Sequence, residues 1–260
     1  MATNTRHRQI QIPVDHERIA ATLVAPSTLV PGVLLVHGWD GSQAQYIARA
    51  HELAALGCIC MTIDLRGHAQ HIALREAVTP EQNLQDVLAA YDTLVGHPAV
   101  DPEAMAIVGS SYGGYLAALA TAQRPVRWLA LRAPALYRDA HWRIPKFGLD
   151  RADLVSYRSA LVTPANNRAL AACEAFRGDA LIVESEHDSM VPHPVIESYR
   201  AAFSHVRSIT YRVLSGADHA LSTEESRHDY GLLLVTWMTE MVLGARAATG
   251  RVRPMPKNPA

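Results

Sequence analysis

The sequence contains little cysteine, almost no net charge and no long apolar run. Its 260 residues include three cysteines, Cys58, Cys60 and Cys173, which do not form a disulfide framework. The 24 lysines and arginines are balanced by 25 aspartates and glutamates, so no overall field attracts nucleic acid or an anionic membrane. No run reaches the ~20 apolar residues of a membrane span, and residues 1–10 lack the apolar stretch of a secretory signal. We therefore expect neither a nucleic acid nor a membrane as partner, and a cytoplasmic location.

Short apolar runs alternate with longer segments of helical spacing, a pattern typical of an α/β fold. We predict one large domain built on a mostly parallel eight-stranded sheet with helices on both faces, the first two strands forming a hairpin. A tail over residues 249–260, rich in proline, arginine and lysine, is expected to be frayed. The predicted strands are Gln9–Val14, Ile19–Ala25, Val33–Val36, Cys58–Ile63, Met105–Val108, Trp128–Leu131, Ala180–Val183 and Thr210–Leu214.

One segment, residues 134–163, fits this alternation poorly. It mixes aromatic residues, arginine and proline, and it is longer than a strand-to-helix connection needs. We interpret it as a small cap insertion over the carboxyl edge of the sheet, with Trp142 and Arg143 as candidate substrate-binding residues. Two interpretations of its basic character stay open: the cap selects substrates that carry a carboxylate or phosphate, or it is a solvated amphipathic lid. Its basic residues are Arg138, Arg143, Lys146, Arg151 and Arg158.

The strongest chemical signal is the pentapeptide Gly109-Ser110-Ser111-Tyr112-Gly113. It directly follows the apolar run Met105–Val108 and directly precedes a helical run, as a G-x-S-x-G nucleophile elbow does. Small flanking residues permit the sharp strand-to-helix turn that lifts a serine hydroxyl out of the sheet. The pattern predicts Ser111, rather than Ser110, as a nucleophile.

A nucleophilic serine needs a base that accepts its proton during attack. Of the 13 histidines, His219 follows the last predicted strand and precedes the last predicted helix, so we expect it at the same sheet edge as Ser111. The histidine in turn needs a carboxylate on its far nitrogen. We prefer Asp188, because it lies in the loop after the strand Ala180–Val183, and Glu186 is the alternative.

Attack on a carbonyl group creates an oxyanion, which needs two preorganised hydrogen-bond donors. The backbone amide of Tyr112, directly after the predicted nucleophile, is one candidate. The amide of Trp39 is the second, in the loop after the strand Val33–Val36, because neighbouring glycines let that backbone approach a substrate closely.

Five motifs in this order resemble the α/β-hydrolase superfamily, nearest its dienelactone-hydrolase-like and serine-aminopeptidase-like esterases. They are His37-Gly38-Trp39, Asp64-Leu65-Arg66-Gly67-His68, the elbow, Glu186-His187-Asp188 with Val191-Pro192, and Gly216-Ala217-Asp218-His219. The resemblance runs from about Val30 to Leu243 and includes the chain order nucleophile, acid, histidine. Two departures stand out. The loop before Asp188 lacks the glycine that such families often place there, and dienelactone hydrolases use a cysteine where this chain has Ser111.

The resemblance implies an α/β-hydrolase fold over residues 1–260 that acts on a small acyl substrate without a metal or cofactor. Our leading hypothesis is a carboxylic ester hydrolase with an acyl-Ser111 intermediate. A thioesterase or an aminopeptidase would use the same residues, and a slow-turnover ligand-binding protein on this fold is a further alternative. His68 and His71, with Asp64, could be imagined as metal ligands, but they lack the glutamate and helix of the zinc-protease motif, so we interpret this loop as part of the pocket lining.

Overall fold

The strands of the molecule form one large sheet and one small hairpin. The structure is a computed structural model that describes residues 5–14, 17–26 and 29–249. The hairpin pairs β1 (Thr5–Val14) with β2 (Glu17–Pro26) in antiparallel register. The large sheet consists of β3 (Val30–Val36), β4 (Ile59–Thr62), β5 (Val100–Ser110), β6 (Trp128–Arg132), β7 (Asp179–His187) and β8 (Ser208–Asp218). Its strands are all parallel, in the order β4-β3-β5-β6-β7-β8.

The predicted α/β-hydrolase fold class is confirmed, with one difference in how its strands associate. Each of the eight predicted runs forms a strand, but six lie in the parallel sheet and two in the separate hairpin. Apolar alternation identifies a strand, whereas its pairing partner is decided by contacts distant in sequence. Most of the predicted frayed tail, residues 250–260, lies outside the described residues.

Helices cover both faces of the parallel sheet. They are α1 (Ile47–Ala55), α2 (Pro80–Val95), α3 (Tyr112–Ala120), α4 (Arg151–Arg158), α5 (Arg168–Ala175), α6 (His193–Ala202) and α7 (Glu224–Thr249). Strand β3 shows why helices must cover both faces of the sheet, because its apolar side chains point alternately into two cores. Leu34 and Val36 pack with residues of α2, α3, α5 and α6, whereas Val33 and Leu35 pack with residues of α1 and α7. None of the helices in the described ranges combines the length and apolar character that a bilayer crossing requires.

The strand order reverses its direction beside the centre of the sheet. The chain passes from β3 outward to β4, then returns to β5 on the other side of β3 and continues in the opposite direction. In open α/β sheets, ligands bind at the carboxyl ends of strands where the direction reverses in this way. Here that point lies between the loop that follows β3 and the turn that follows β5, which contains Ser111.

Residues 134–163, the predicted cap, run between β6 and α5 and include α4 and short 3-10 turns. The segment is tied to the start of α2 by two backbone hydrogen bonds. Glu81 donates its amide to the Trp142 carbonyl at 3.2 Å, and Lys146 donates its amide to the Val78 carbonyl at 3.2 Å. A sharp start of α2 supports this contact, since Thr79 accepts a hydrogen bond from the Gln82 amide as an N-cap.

Candidate active site

Ser111 occupies a strained turn between β5 and α3. Its backbone has φ 52° and ψ −117°, a conformation that residues other than glycine rarely adopt. The two elbow glycines make room for it. A Cβ atom at Gly109 would lie 2.4 Å from the Gly113 carbonyl oxygen, and one at Gly113 would lie 2.3 Å from the Val36 carbonyl oxygen. Ser111 is anchored to the end of β6, because its amide donates to the Arg132 carbonyl at 2.9 Å.

Ser111, His219 and Asp188 form a continuous chain of hydrogen bonds at the carboxyl edge of the sheet. The Ser111 Oγ lies 2.9 Å from His219 Nε2, and His219 Nδ1 lies 2.6 Å from Asp188 Oδ2. Each residue directly follows a parallel strand, namely β5, β8 and β7. The structure thus brings together the three residues that the sequence nominated, although they are separated by up to 108 positions.

The hydrogen bonds of Asp188 show which nitrogen of His219 carries a proton. Its Oδ1 accepts from the backbone amides of Met190 at 2.8 Å and Val191 at 2.7 Å, so the carboxylate acts only as an acceptor. Its side chain is only 3% exposed, whereas that of His219 is 21% exposed. Because the carboxylate accepts, His219 Nδ1 carries the proton, and Nε2 is left to accept the Ser111 hydroxyl proton.

The alternative acid, Glu186, is directed elsewhere. Its Oε2 accepts a hydrogen bond from the Gly216 amide at 2.7 Å, which ties the end of β7 to β8. Asp218, the neighbour of His219, accepts from the Ser222 amide at 2.8 Å and closes its own loop. Of the three carboxylates, Asp188 is the one that contacts the imidazole of His219.

The loop after β3 lies directly against Ser111. A Cβ atom on Gly38 would be 3.3 Å from the Cβ of Ser111 and 3.9 Å from its Oγ, so any side chain there would crowd the nucleophile. Trp39, one of the two predicted oxyanion donors, follows Gly38. Tyr112, the other, is the first residue of α3, where a helix leaves its amide without an intrahelical acceptor. In the described ranges, neither amide donates to another protein group.

His37 fixes the orientation of this loop. Its Nε2 accepts from the Leu65 amide at 3.1 Å, so its proton is on Nδ1, which donates to the Gly38 carbonyl at 2.7 Å. The Gly41 amide donates to the same carbonyl at 3.0 Å. In a trans peptide the amide points opposite to the carbonyl, so these two bonds also set the direction of the Trp39 amide. Burial lowers the pKa of His37, which keeps it neutral in this role.

Arg132 was not singled out in the sequence, yet it supports His219 from within the protein. It ends β6, is 6% exposed, and donates from Nη2 to the His219 carbonyl at 2.8 Å. Its Nε and Nη1 lie 3.3 Å from the hydroxyl oxygens of Ser110 and Ser185. The available signal was a charged residue that directly follows an apolar strand and lies next to the predicted site.

Trp142 and Arg143 both contact Glu81 at the start of α2. The indole Nε1 donates to the Glu81 carboxylate at 3.2 Å, and Arg143 forms an ion pair with it at 3.2 Å. The Arg143 side chain is 81% exposed. No contact joins either residue to Ser111 or His219 in the part of the chain that the structure describes, so their substrate-binding role stays a prediction.

His68 lies behind the loop after β3 and has no metal-like surroundings. Its ring packs edge-on against Trp39, with centroids 4.6 Å apart, and its Nδ1 lies 3.2 Å from the Arg66 carbonyl. Burial lowers the pKa of His68 to about 4, so the ring is neutral. Asp64 instead accepts from the Gln43 amide at 2.8 Å. Among the described residues, no group of three or more His, Cys, Asp or Glu is arranged to hold a metal ion.

The sheet, the elbow after β5 and the hydrogen-bonded serine, histidine and aspartate define an α/β-hydrolase. Within that superfamily, residues 44–244 match the model of the prolyl oligopeptidase family, a stretch that includes Ser111, Asp188 and His219. The chain therefore belongs to the prolyl oligopeptidase family, and it is a hydrolase of the serine esterase or peptidase type. A search of curated proteins finds no match.

Solved structures with the same fold are distant in sequence. The chain resembles the dienelactone hydrolase of Anabaena variabilis ATCC 29413, with 18% identity, a TM-score of 0.58, and coverage of 91% of this chain and 98% of that one. It resembles carboxyl esterase 2 of the fungus Tuber melanosporum, with 20% identity, a TM-score of 0.58, and coverage of 93% and 88%. It also resembles the Pyrococcus horikoshii acylaminoacyl peptidase, with 16% identity, a TM-score of 0.59, and coverage of 93% of this chain but 42% of that one. At these identities the likeness concerns the fold alone.

Proposed function

We propose that this protein cleaves a small carboxylic ester through an acyl intermediate on Ser111. The observation that carries the proposal is the hydrogen-bond chain from Ser111 Oγ through His219 to Asp188, with distances of 2.9 and 2.6 Å. In the first step, Oγ attacks the ester carbonyl carbon while His219 Nε2 takes the hydroxyl proton. Asp188 stabilises the imidazolium that forms.

The negative charge of the tetrahedral intermediate develops on the former carbonyl oxygen. The amides of Tyr112 and Trp39 are the donors proposed to bind it. When the intermediate collapses, the bond to the alcohol oxygen breaks, and His219 gives its proton to the departing alcohol. A water molecule then repeats the sequence on the acyl-Ser111 ester, with His219 as base, and releases the carboxylic acid.

Peptide bond hydrolysis is the second candidate, because the family match is to prolyl oligopeptidases. The same serine, histidine and aspartate would serve an amide, with His219 protonating a departing amine. The acylaminoacyl peptidase that this chain resembles is more than twice as long as the matched part, so its activity cannot be transferred by likeness of the fold. Thioester hydrolysis would use the same steps.

A fluorophosphonate probe tests the activated serine directly. We expect one label per chain, mapped by peptide mass to Ser111, and no label in Ser111→Ala. Ser110→Ala is the matched control, and it should still be labelled at Ser111. An unlabelled but folded wild-type protein would contradict the proposal and favour a binding protein on the hydrolase fold.

The leaving group is then decided by matched substrates. Acetyl and butyryl esters of 4-nitrophenol, the corresponding thioesters, and aminoacyl and peptidyl 4-nitroanilides would be compared by kcat/KM. Higher values for the esters support the proposal, whereas hydrolysis of the anilides alone would assign the protein to the peptidases.

A further inference from the structure

Lys146 extends from the cap segment onto the rings of Trp39 and Tyr112, the residues that follow Gly38 and Ser111 in the chain. Its Nζ lies 4.0 Å from the ring centroid of Trp39, 5.3 Å from that of Tyr112 and 5.7 Å from that of Tyr137. Trp39 and Tyr112 are the two residues whose amides are proposed to bind the oxyanion. The ammonium group therefore lies over the side chains of the same residues that would hold the reacting carbonyl.

Lys146 lacks the acceptors that Arg138, Arg143 and Arg158 of the cap have. Arg138 pairs with Asp153 at 3.0 Å, and Arg158 donates to the carbonyls of Leu136 and Met190 at 3.0 and 3.1 Å. The ammonium of Lys146 makes no hydrogen bond and no ion pair within residues 29–244. The cap thus holds Lys146 as a cation without an ion-paired carboxylate, over the rings of Trp39 and Tyr112.

An ammonium in such a place is incompletely stabilised. Aromatic faces compensate a part of its lost hydration, but they replace neither an acceptor nor a negative charge. Burial, followed by the nearby Arg158, lowers the pKa of Lys146 to about 7. Arg75, whose guanidinium carbon is 5.0 Å from the Trp39 centroid, adds positive potential but is itself paired with Asp40. A bound monoanion would supply what Lys146 lacks.

We propose that Lys146 is an anion subsite and that the natural substrate carries a carboxylate in addition to its scissile acyl bond. The inference rests on the proposed hydrolase function and names its substrate class. A single ammonium suits a carboxylate better than a phosphate dianion, which requires several donors. Of the two open interpretations of the basic cap, this one is anion selection, and it is assigned to Lys146 rather than to Arg143, whose charge is already matched by Glu81.

Two matched pairs of esters test the subsite. The first compares the mono-4-nitrophenyl ester of glutaric acid with 4-nitrophenyl valerate, and places the carboxylate on the acyl side. The second compares 4-acetoxybenzoate with 4-methylphenyl acetate, and places it on the alcohol side. We expect the wild-type protein to prefer the anionic ester of one pair, and Lys146→Met to reduce that ratio of kcat/KM values by about tenfold or more.

Arg151→Gln is the matched control, because it removes one positive charge from an exposed position at the start of α4. It should leave the ratio unchanged. Equal kcat/KM values within both pairs for wild type would overturn the inference, as would a preference that Lys146→Met retains. Melting temperatures of all variants would exclude a loss of folding as the cause.

Failure of the hydrolase proposal can be told apart from failure of the subsite. If the wild-type protein cleaves no ester, calorimetric titration with glutarate measures the anion site alone. Saturable binding that Lys146→Met abolishes would support the subsite while the ester hydrolase proposal fails. Absence of glutarate binding to the folded wild-type protein would overturn the subsite as well.

Discussion

Arg132 and Lys146 are two cations beside the same site, and the protein surrounds them in different ways. Arg132 lies behind His219, where the His219 carbonyl and the hydroxyls of Ser110 and Ser185 surround its guanidinium. Lys146 lies over three aromatic rings, one of them in the loop after β3, and has no acceptor. Neither has a carboxylate partner in the described ranges.

The difference distinguishes a cation that holds the protein framework in place from a cation that is available to bind a ligand. A buried guanidinium whose donors are satisfied by protein acceptors holds those acceptors in place, and a ligand would have to displace them. An ammonium that only contacts ring faces has donors to offer. We therefore distinguish two regions: an Arg132 side, which positions His219, and a Lys146 side, which includes the loop after β3 and is proposed to bind the substrate.

Asp188→Asn should have the largest effect, on the Arg132 side. Asp188 holds the imidazole of His219 while Arg132 holds its carbonyl. An amide at position 188 favours the wrong tautomer of His219, so kcat should fall by about 10⁴. Glu186→Gln is the matched control, and its kcat for ester hydrolysis should be nearly that of the wild type. A larger fall in kcat for Glu186→Gln than for Asp188→Asn would identify Glu186, rather than Asp188, as the acid partner of His219.

His37→Phe should have the next largest effect, on the Lys146 side. Without the bond from Nδ1 to the Gly38 carbonyl, the Gly41 amide alone orients the peptide that carries the Trp39 amide, so this donor is held less firmly. Loss of one oxyanion donor costs about 10² to 10³ in kcat. Affinity for a trifluoromethyl ketone, whose addition product needs the same donors, should fall in parallel. A drop in kcat with unchanged affinity for this inhibitor would contradict the role of His37.

Arg132→Met should lower stability and, to a smaller extent, catalysis. It leaves the His219 carbonyl and two buried hydroxyls without their donor, which should cost about 2 to 4 kcal/mol of unfolding free energy in urea. A displaced His219 should reduce kcat about tenfold, with KM nearly unchanged. Arg124→Met, which removes an exposed ion pair with Asp92, should lower stability much less than Arg132→Met. Equal losses of unfolding free energy in the two variants would contradict the proposed structural role of Arg132.

Lys146→Met should stabilise the fold at low pH, and this gain should diminish as the pH rises. Burial lowers the pKa of Lys146 from its ordinary value of 10.5 to about 7, so its burial opposes folding fully below pH 7 and less as the pH rises toward 10.5. Arg158 and Arg75 lower this pKa, whereas Asp40 raises it. The variant should therefore melt above the wild type at pH 6, and this difference should shrink by pH 9.5. A variant that melts below the wild type at pH 6 would show that Lys146 is a structural residue.

Much of the candidate site could be predicted because its signals are local. Ser111, Asp188 and His219 each directly follow a strand, and an apolar run that ends in a loop residue is visible within a few positions. The glycines of the elbow are equally local, since Gly109 and Gly113 are required by atoms close to them in sequence or on the neighbouring strand β3.

Other features depend on pairs of residues that no local pattern connects. Arg143 meets Glu81 across 62 positions, and Arg132 meets the His219 carbonyl across 87. The sequence therefore indicated that the cap is basic without indicating which of its cations is already paired. The separation of the hairpin from the six-stranded sheet has the same origin, because partner strands are chosen by tertiary contacts.

By itself, the sequence determined the alternation of strands and helices, the elbow at Ser111 and the identity of His219 as its partner. Each of these depends on residues that are close together in the sequence: the spacing of apolar residues, the glycines around the elbow, and the residue at which a strand ends. Only the tertiary structure decided that Asp188 rather than Glu186 reaches His219, since an irregular register between β7 and β8 turns Glu186 toward Gly216. It also decided that Lys146 lies over Trp39 without a counter-ion, because burial and charge pairing arise only when distant segments meet.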